Sequence, residues 1–327
     1  MSILDAAILV GVESTYGTPA TLTRGFEGKA DAFKREQSRL ESVGFRADMQ
    51  ALRDDRVVTV NMGGAASLEV DMLNKGMGLL LGGALGSKTG PAQQAATAAY
   101  LQTYETTDSA PADSYTMQVI RPTLESGTQE FTYHGCKITG WSLNQSPDGL
   151  LVVNFDVDFE DSDIVTSAGT PSYPSDATPF DWTDCTVTLD PDGSPETLDV
   201  MDLSFNADLA LKTDRRYLRG SELKKEPVRN GVPVYDGEIT VDFTGTTRYA
   251  EWTGETVVDI ELAWTGANIE GAHDYYFKVR MQACHWTDGN PEVSLSDTPV
   301  QTLPFQALHD GTNAAVSVTY MSTDTAV

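Results

Sequence analysis

Cysteine is nearly missing from this chain: Cys136, Cys185 and Cys284 are the only three in 327 residues. Thiols so few and so far apart form no disulfide framework, which fits folding in a reducing compartment. Positive charge is scarce too, with 22 Lys and Arg against 48 Asp and Glu, a formal net charge of −26. Proteins that grip nucleic acid by its phosphates, or lie on an anionic membrane, need the opposite surplus, so both are excluded as general binding modes. The longest apolar run, over residues 76–86, is broken by glycine and is too short to cross a hydrocarbon layer of ~30 Å. The first ten residues carry Asp5 and no basic n-region, so no signal peptide is expected. The chain nevertheless has 40% hydrophobic residues, with five Trp, eleven Phe and twelve Tyr. That is enough for a buried core and argues against wholesale disorder.

Helical periodicity is also rare; alternation with a period of two dominates. In Leu68-Glu69-Val70-Asp71-Met72 the apolar residues share one face and the two acids the other. Residues 151–160 set Val153, Phe155, Val157 and Phe159 against Asn154, Asp156, Asp158 and Glu160, and residues 236–243 set Ile239, Val241 and Phe243 against Glu238, Thr240 and Asp242. Such strands belong to antiparallel sheets with one buried and one wet face. Turn signals such as Asp190-Pro191-Asp192-Gly193, Asn230-Gly231 and Asp310-Gly311 separate them. Two short helices are expected, one within 72–85, weakened by four Gly, and one within 248–254. The fold class is mainly β, with tandem sandwich or partly closed barrel domains that each carry a short helix.

Residues 161–180 hold three Pro amid Ser, Thr, Ala and Asp, and read as an extended linker. They divide the chain into a first β domain with an N-terminal arm (1–165), a linker (166–182) and a second β domain (183–327). One order of elements recurs across the linker. A strand over 28–33 is answered by 204–209, and a basic connector over 34–56 by 212–229. Leu68–Met72 is answered by Ile239-Thr240-Val241-Asp242-Phe243, with Asp71 over Asp242. A helix follows in each half, then 115–120 against 258–264 and 131–136 against 276–281. This recurrence points to a duplication, with polar loops over 87–102 and 105–113 inside the first half.

The two connectors hold 13 of the 22 bases: Lys34, Arg35, Arg39, Arg46, Arg53 and Arg56, then Lys212, Arg215, Arg216, Arg219, Lys224, Lys225 and Arg229. On so acidic a chain they read as cationic arms that reach acidic surface on neighbouring copies. Reversing the charge at Arg215, Arg216 and Arg219 is expected to leave folded subunits that do not polymerise.

Gly11-Val12-Glu13-Ser14-Thr15-Tyr16-Gly17-Thr18-Pro19 resembles the N-terminal signature of the major tail tube proteins of tailed bacteriophages. Arg215-Arg216-Tyr217-Leu218-Arg219-Gly220-Ser221, followed by Glu226-Pro227 and residues 235–243, resembles the second half of the same family. The likeness in element order covers roughly residues 8–320. Departures are the polar insert over 87–113 and the ending after Asn290. The resemblance implies β-sandwich domains in rings of six, stacked into the hollow shaft of a virion tail through which double-stranded DNA passes without binding. Three chains with two such domains each, or six chains with one tube domain and one decoration domain each, could supply such a ring. It further implies a non-enzymatic structural protein without cofactor or membrane partner, assembled in the host cytoplasm. Its partners are then itself and the tape-measure, tail-tip and terminator proteins. Ring-stacking candidates are Glu13, Tyr16, Arg35, Arg39, Arg46, Arg53, Arg56, Arg215, Arg216, Arg219, Lys224, Lys225 and Arg229. Candidates for a phosphate-repelling inner wall are Glu69, Asp71, Thr240, Asp242, Asp156, Asp158 and Glu160.

Motifs for other chemistry are weak. His134-x-Cys136 and Cys284-His285 lack zinc-site spacing, the Asp-rich turns lack the calcium-loop Gly and Glu, and the Gly-Ser-Lys-Thr at 86–89 fails phosphate-loop spacing. The alternative function is a β-sandwich module for carbohydrate or receptor binding. That would call for a row of exposed aromatics, whereas Trp141, Trp182, Trp252, Trp264 and Trp286 are scattered.

Overall fold

The computed structural model describes residues 5–44, 46–48, 51–125, 127–165, 167–292 and 298–327. The first half contributes β1 (Ala7–Val12), β2 (Arg24–Phe26), β3 (Lys34–Glu41), β4 (Val57–Asp71), helix α1 (Gly78–Leu85), β5 (Gly86–Gln93), β6 (Tyr100–Thr106), β7 (Tyr115–Pro122), β8 (Thr128–Gln145), β9 (Val152–Phe159) and β10 (Asp161–Val165). The second contributes β11 (Cys185–Leu189), β12 (Glu196–Leu198), β13 (Val200–Asp208), β14 (Leu211–Lys212), β15 (Val228–Arg229), β16 (Val234–Asp242), helix α2 (Thr247–Thr253), β17 (Val258–Glu270), β18 (His273–Trp286), β19 (Pro291–Glu292), β20 (Val300–Ala307) and β21 (Ser317–Ser322). The fold is mainly β and antiparallel, as the alternation requires, without a closed barrel.

Each half folds as two layers around apolar side chains. In the first, β1 lies between β2 and β7, and β7 and β10 flank the N-terminal part of β8. The C-terminal part of β8 pairs with β9, β9 with β4, and β4 with β3. One strand thus serves both layers, and it turns between them at Gly135, whose φ of 64° suits a residue without a Cβ. Leu68, Val70, Val153, Phe155 and Trp141 fill the space between the layers, each 3% exposed or less. Helix α1 is buried at all eight positions, and Gly78 and Gly83 allow Gln102, Tyr104 and Tyr115 to approach it closely.

The second half repeats these ladders in register. Tyr115↔Cys136 and Met117↔Tyr133 straddle a bulge between β7 and β8; Val258↔Cys284 and Ile260↔Met281 straddle its counterpart between β17 and β18. Cys136 Sγ donates to Tyr133 O and Cys284 Sγ to Met281 O, both at 3.5 Å. Ile138↔Val157 and Leu143↔Val153 become Trp286↔Phe305 and Pro291↔Gln301. Leu68↔Phe155 becomes Ile239↔Leu303, with Asp71↔Val152 answered by Asp242↔Val300.

Two ladders have no counterpart and join the halves. β8 pairs with β13 from Gly140↔Asp208 to Gln145↔Leu203, and β6 pairs with β21 from Tyr100↔Ser322 to Glu105↔Ser317. Strands β3–β4–β9–β8–β13–β16–β20 therefore run as one continuous sheet across both halves.

Several expectations change. The strand expected over 28–33 is reduced to a single bridge, Gly28↔Val70, because Asp31 turns the chain by accepting from Phe33 N at 3.2 Å. Its second-half counterpart is Val200↔Val241, so Phe33 answers Phe205, and the match of 28–33 to 204–209 is out of register; the match of 131–136 to 276–281 is displaced too, since Tyr133 and Cys136 answer Met281 and Cys284. The first basic connector is a hairpin, with β3 paired to the exposed end of β4. Residues expected as a loop over 87–102 form much of the β5–β6 hairpin. The linker stretch is extended but fastened to the first half: Phe180 N donates to Met72 O and Leu151 N to Phe180 O, both at 2.9 Å, and Asn74 exchanges hydrogen bonds with Thr178.

Because the halves share a sheet, heating should give one cooperative calorimetric transition; two separable transitions would contradict a shared core. Phe205, 1% exposed and 5.0 Å from Trp141 across the junction, is a sensitive position. Phe205→Ala should lower the unfolding free energy by about 3–5 kcal/mol in urea denaturation.

Candidate functional site

The continuous sheet buries one face and leaves the other wet. Along one row the outward residues are Glu69, Asn154, Ser142, Asn206, Asp236 and Gln306; along the next, Asp71, Val152, Asn144, Ser204, Glu238 and Pro304. Asp156, Asp202, Asp208 and Asp242 extend the same face. Strands β4, β9, β13, β16 and β20 contain no Lys or Arg. Lys29 reaches over the face, 2.7 Å from Asp71 and 3.9 Å from Glu69, and Lys34 of β3, opposite Ala65, stands at its edge. Side-chain amides tie the rows together, with Ser67 donating to Asn154 at 2.5 Å and Asn154 to Asp156 at 3.1 Å. On the opposite layer, by contrast, bases meet acids: Lys278 with Glu261 at 3.2 Å, and Arg280 with Asp259 at 2.7 Å and Asp192 at 2.6 Å.

The predicted wall residues Glu69, Asp71, Asp156, Thr240 and Asp242 come together on this face. Asp158 and Glu160 do not. Alternation aims Asp158 outward, but the second basic arm lies over that end of the sheet and buries it to 7% exposure. Lys224, itself buried, meets Asp158 at 2.5 Å, while Lys137 of β8 reaches back to Glu226 of the arm at 2.8 Å. Two lysine–carboxylate pairs thus fasten the arm reciprocally. Glu160 lies past the end of β9 against Gly17, Gly135 and Tyr16.

The ring-stacking candidates divide in the same way. Glu13 is buried and accepts from Gly17 N, Ser114 Oγ, Thr116 Oγ1 and Gly135 N at 2.8–3.0 Å. Tyr16 packs on Gly135, with its hydroxyl pushed well above the usual tyrosine range by burial. Both lock the N-terminal arm onto its own chain; Glu13 is left 7% exposed, while Tyr16 keeps part of its surface open. In the second arm Arg215 donates to Glu226 O at 2.6 Å, Arg216 to Glu222 O and Met62 O at 2.8 Å, Arg219 to Leu223 O at 2.9 Å and Arg229 to Thr107 O at 2.5 Å. These guanidinium groups shape the arm, so reversing their charge would dismantle it rather than leave it intact. Lys224 is likewise spent inside the chain, and Lys225 is exposed.

The first arm keeps more of its charge outward. Arg35 is held by Ser162 O at 2.7 Å and Asp161 at 3.2 Å, and Arg53 pairs with Asp55. Arg39, Arg46 and Arg56 are exposed without a side-chain partner among the described residues. Exposed apolar residues accompany them: Leu40 and Val58, directly opposite each other, are 63% and 60% exposed. At the tip of the second arm Leu218 is fully exposed beside Tyr217.

Several residues escaped the sequence reading. Asp202, Asp208 and Asp236 follow the same alternation and could have been found by extending it, and Glu238, already set on the polar face by that alternation, joins the wall. Lys29 and Lys137 could not, because only the tertiary fold sets them beside their carboxylates.

Burial pushes the Asp158 carboxyl up to about 6 against the downward pull of Lys224 and Arg216. An unfolded Asp releases its proton near ~4, so the folded chain holds an extra proton between these values and loses stability as pH rises through them. Lys224→Met removes the counterion. It should cost about 3 kcal/mol at pH 7.5 and clearly less at pH 4.5, measured by urea denaturation; equal losses at both would contradict the buried pair.

No curated protein matches this chain. A family model described as phage tail tube protein matches residues 4–307. With nearly the whole chain covered, the protein belongs to the phage tail tube family.

Proposed function

We propose that this chain is the subunit that polymerises into the shaft of a phage tail, with the acidic sheet face lining the bore through which DNA passes. The observation that carries this reading is the continuous sheet that sets Glu69, Asp71, Asp156, Asp202, Asp236, Glu238 and Asp242 on one side, on strands that hold no Lys or Arg, with Lys29 reaching over the first two. Carboxylates repel the phosphates of a sliding duplex and leave it unbound. The two halves act as two ring units, so that three chains supply the six units of a ring. Arg39, Arg46, Arg53, Arg56 and Lys225, with exposed Leu40, Val58 and Leu218, serve contacts between rings, where apolar area supplements weak surface ion pairs. The tape-measure, tail-tip and terminator proteins are its further partners, met during assembly in the host cytoplasm.

The binding-module alternative finds less support. Trp141, Trp264 and Trp286 are buried, and the more exposed Trp182 and Tyr173 form no row on one sheet face.

Electron microscopy of the purified chain at high concentration tests the assembly, with rings or striated tubes as the expected outcome and persistent monomers the opposing one. Tubes of the Asp202→Lys/Asp236→Lys/Glu238→Lys variant should retain short DNA duplexes at 50 mM salt and release them as salt rises. Wild-type tubes should retain none. Equal retention by both would place the face elsewhere than the bore.

A further inference from the structure

The ladder between β8 and β13 is a seam between two units of one chain, and the in-register repetition states where its counterpart must lie. Residues 140–144 of β8 correspond to 288–292, since Ile138, Leu143 and Asn144 have Trp286, Pro291 and Glu292 as counterparts on the matching partner strands. Residues 203–208 of β13 correspond to 31–36, since Asn206↔Asp236 and Lys34↔Ala65 are counterparts on β16 and β4. Inside the chain the first of these edges is paired with the second half. Its counterpart over 288–292 has β20 on one side and no strand on the other among the described residues. β3 likewise pairs with β4 alone.

Resting on the ring reading above, we propose that the 288–292 edge of one copy pairs antiparallel with the 31–36 edge of the next. The register is inherited from the internal seam: Ala32 opposite Glu292, Lys34 opposite Asn290 and Glu36 opposite Asp288. Lys34 then has Asp288 and Glu292 as its diagonal neighbours, within reach of a long side chain. A head-to-tail contact of this kind repeats from copy to copy and closes into a ring, and it removes both open edges.

Both edges are blunted in the isolated chain by an aspartate that the internal seam lacks. Asp31 accepts from Phe33 N at 3.2 Å and pairs with Arg121; its counterpart is Leu203. Asp288 accepts from Gly289 N at 2.6 Å and Asn290 N at 3.0 Å; its counterpart is Gly140. A carboxylate that occupies backbone N–H groups keeps an edge from pairing until a neighbour displaces it.

Paired cysteines test the register. Lys34→Cys/Asn290→Cys in the full chain should give covalent oligomers on mild oxidation of assembled material, seen on non-reducing gels, because opposed strand positions lie within disulfide reach. Lys34→Cys alone should not. Rings or tubes that form without a cross-link between the two introduced thiols would overturn the seam and leave the ring reading standing. Dimers from Lys34→Cys alone would overturn it in favour of a two-fold contact between β3 edges. A chain that stays monomeric throughout would sink the ring reading and the seam together. Asp288→Gly, which restores the residue type of the internal seam, should speed spontaneous assembly several-fold by light scattering; an unchanged or slower rate would remove the blunting role.

Discussion

Main-chain hydrogen bonding between β8 and β13 is the constraint on which the rest of the molecule depends. It fuses two sandwiches edge to edge, so that alternation in one half continues in phase with alternation in the other. A slip of one residue would turn Phe205 and Ala207 to water and bury Ser204 and Asn206. In the observed register, every outward position of seven strands falls on one side. Neither half alone presents a surface of that width.

The charge distribution follows from that geometry. A net charge of −26 is spread unevenly, with Lys278 and Arg280 pairing acids on the opposite layer and five of the seven strands of the continuous sheet without a base. Crowded carboxylates repel one another and cost stability, and salt within a Debye length of about 8 Å at physiological strength softens that cost. Lys29 offsets it locally between Glu69 and Asp71. Where the second arm covers the sheet, the balance changes: desolvation makes an unpaired carboxylate at Asp158 too expensive, and Lys224 sits beside it, while buried Lys137 has the half-exposed Glu226 as its counterion.

Much of this was legible in the sequence because strand alternation is a local signal. The buried and wet faces of β4, β9 and β16 were plain from Leu68, Phe155 and Ile239 and their neighbours, as was the correspondence of Asp71 with Asp242. Helix α2 lies one residue from the expected 248–254, whereas α1 occupies only the last eight residues of 72–85. Harder to see were features set by contacts between distant segments. Asp158 reads as exposed until an arm 66 residues away covers it. Glu13 looks like a surface charge until Ser114, Thr116 and Gly135 converge on it. The β3 strand was hidden because all eight of its residues are exposed, so it has no apolar period to betray it. The bases of the second arm were visible, but that they hold their own loop's carbonyls was not.

The β5–β6 hairpin occurs in one half and clasps β21 of the other, so the junction inside the chain is held in both layers. In the proposed ring, every second junction is therefore made once, during folding, by segments already tethered at high effective concentration. Only the remaining junctions must overcome the translational and rotational entropy of bringing separate molecules together, some 4–15 kcal/mol for each association. Tandem fusion halves the number of encounters needed to close a ring. It also frees each half to diverge, since an insertion that suits one junction need not suit its neighbour.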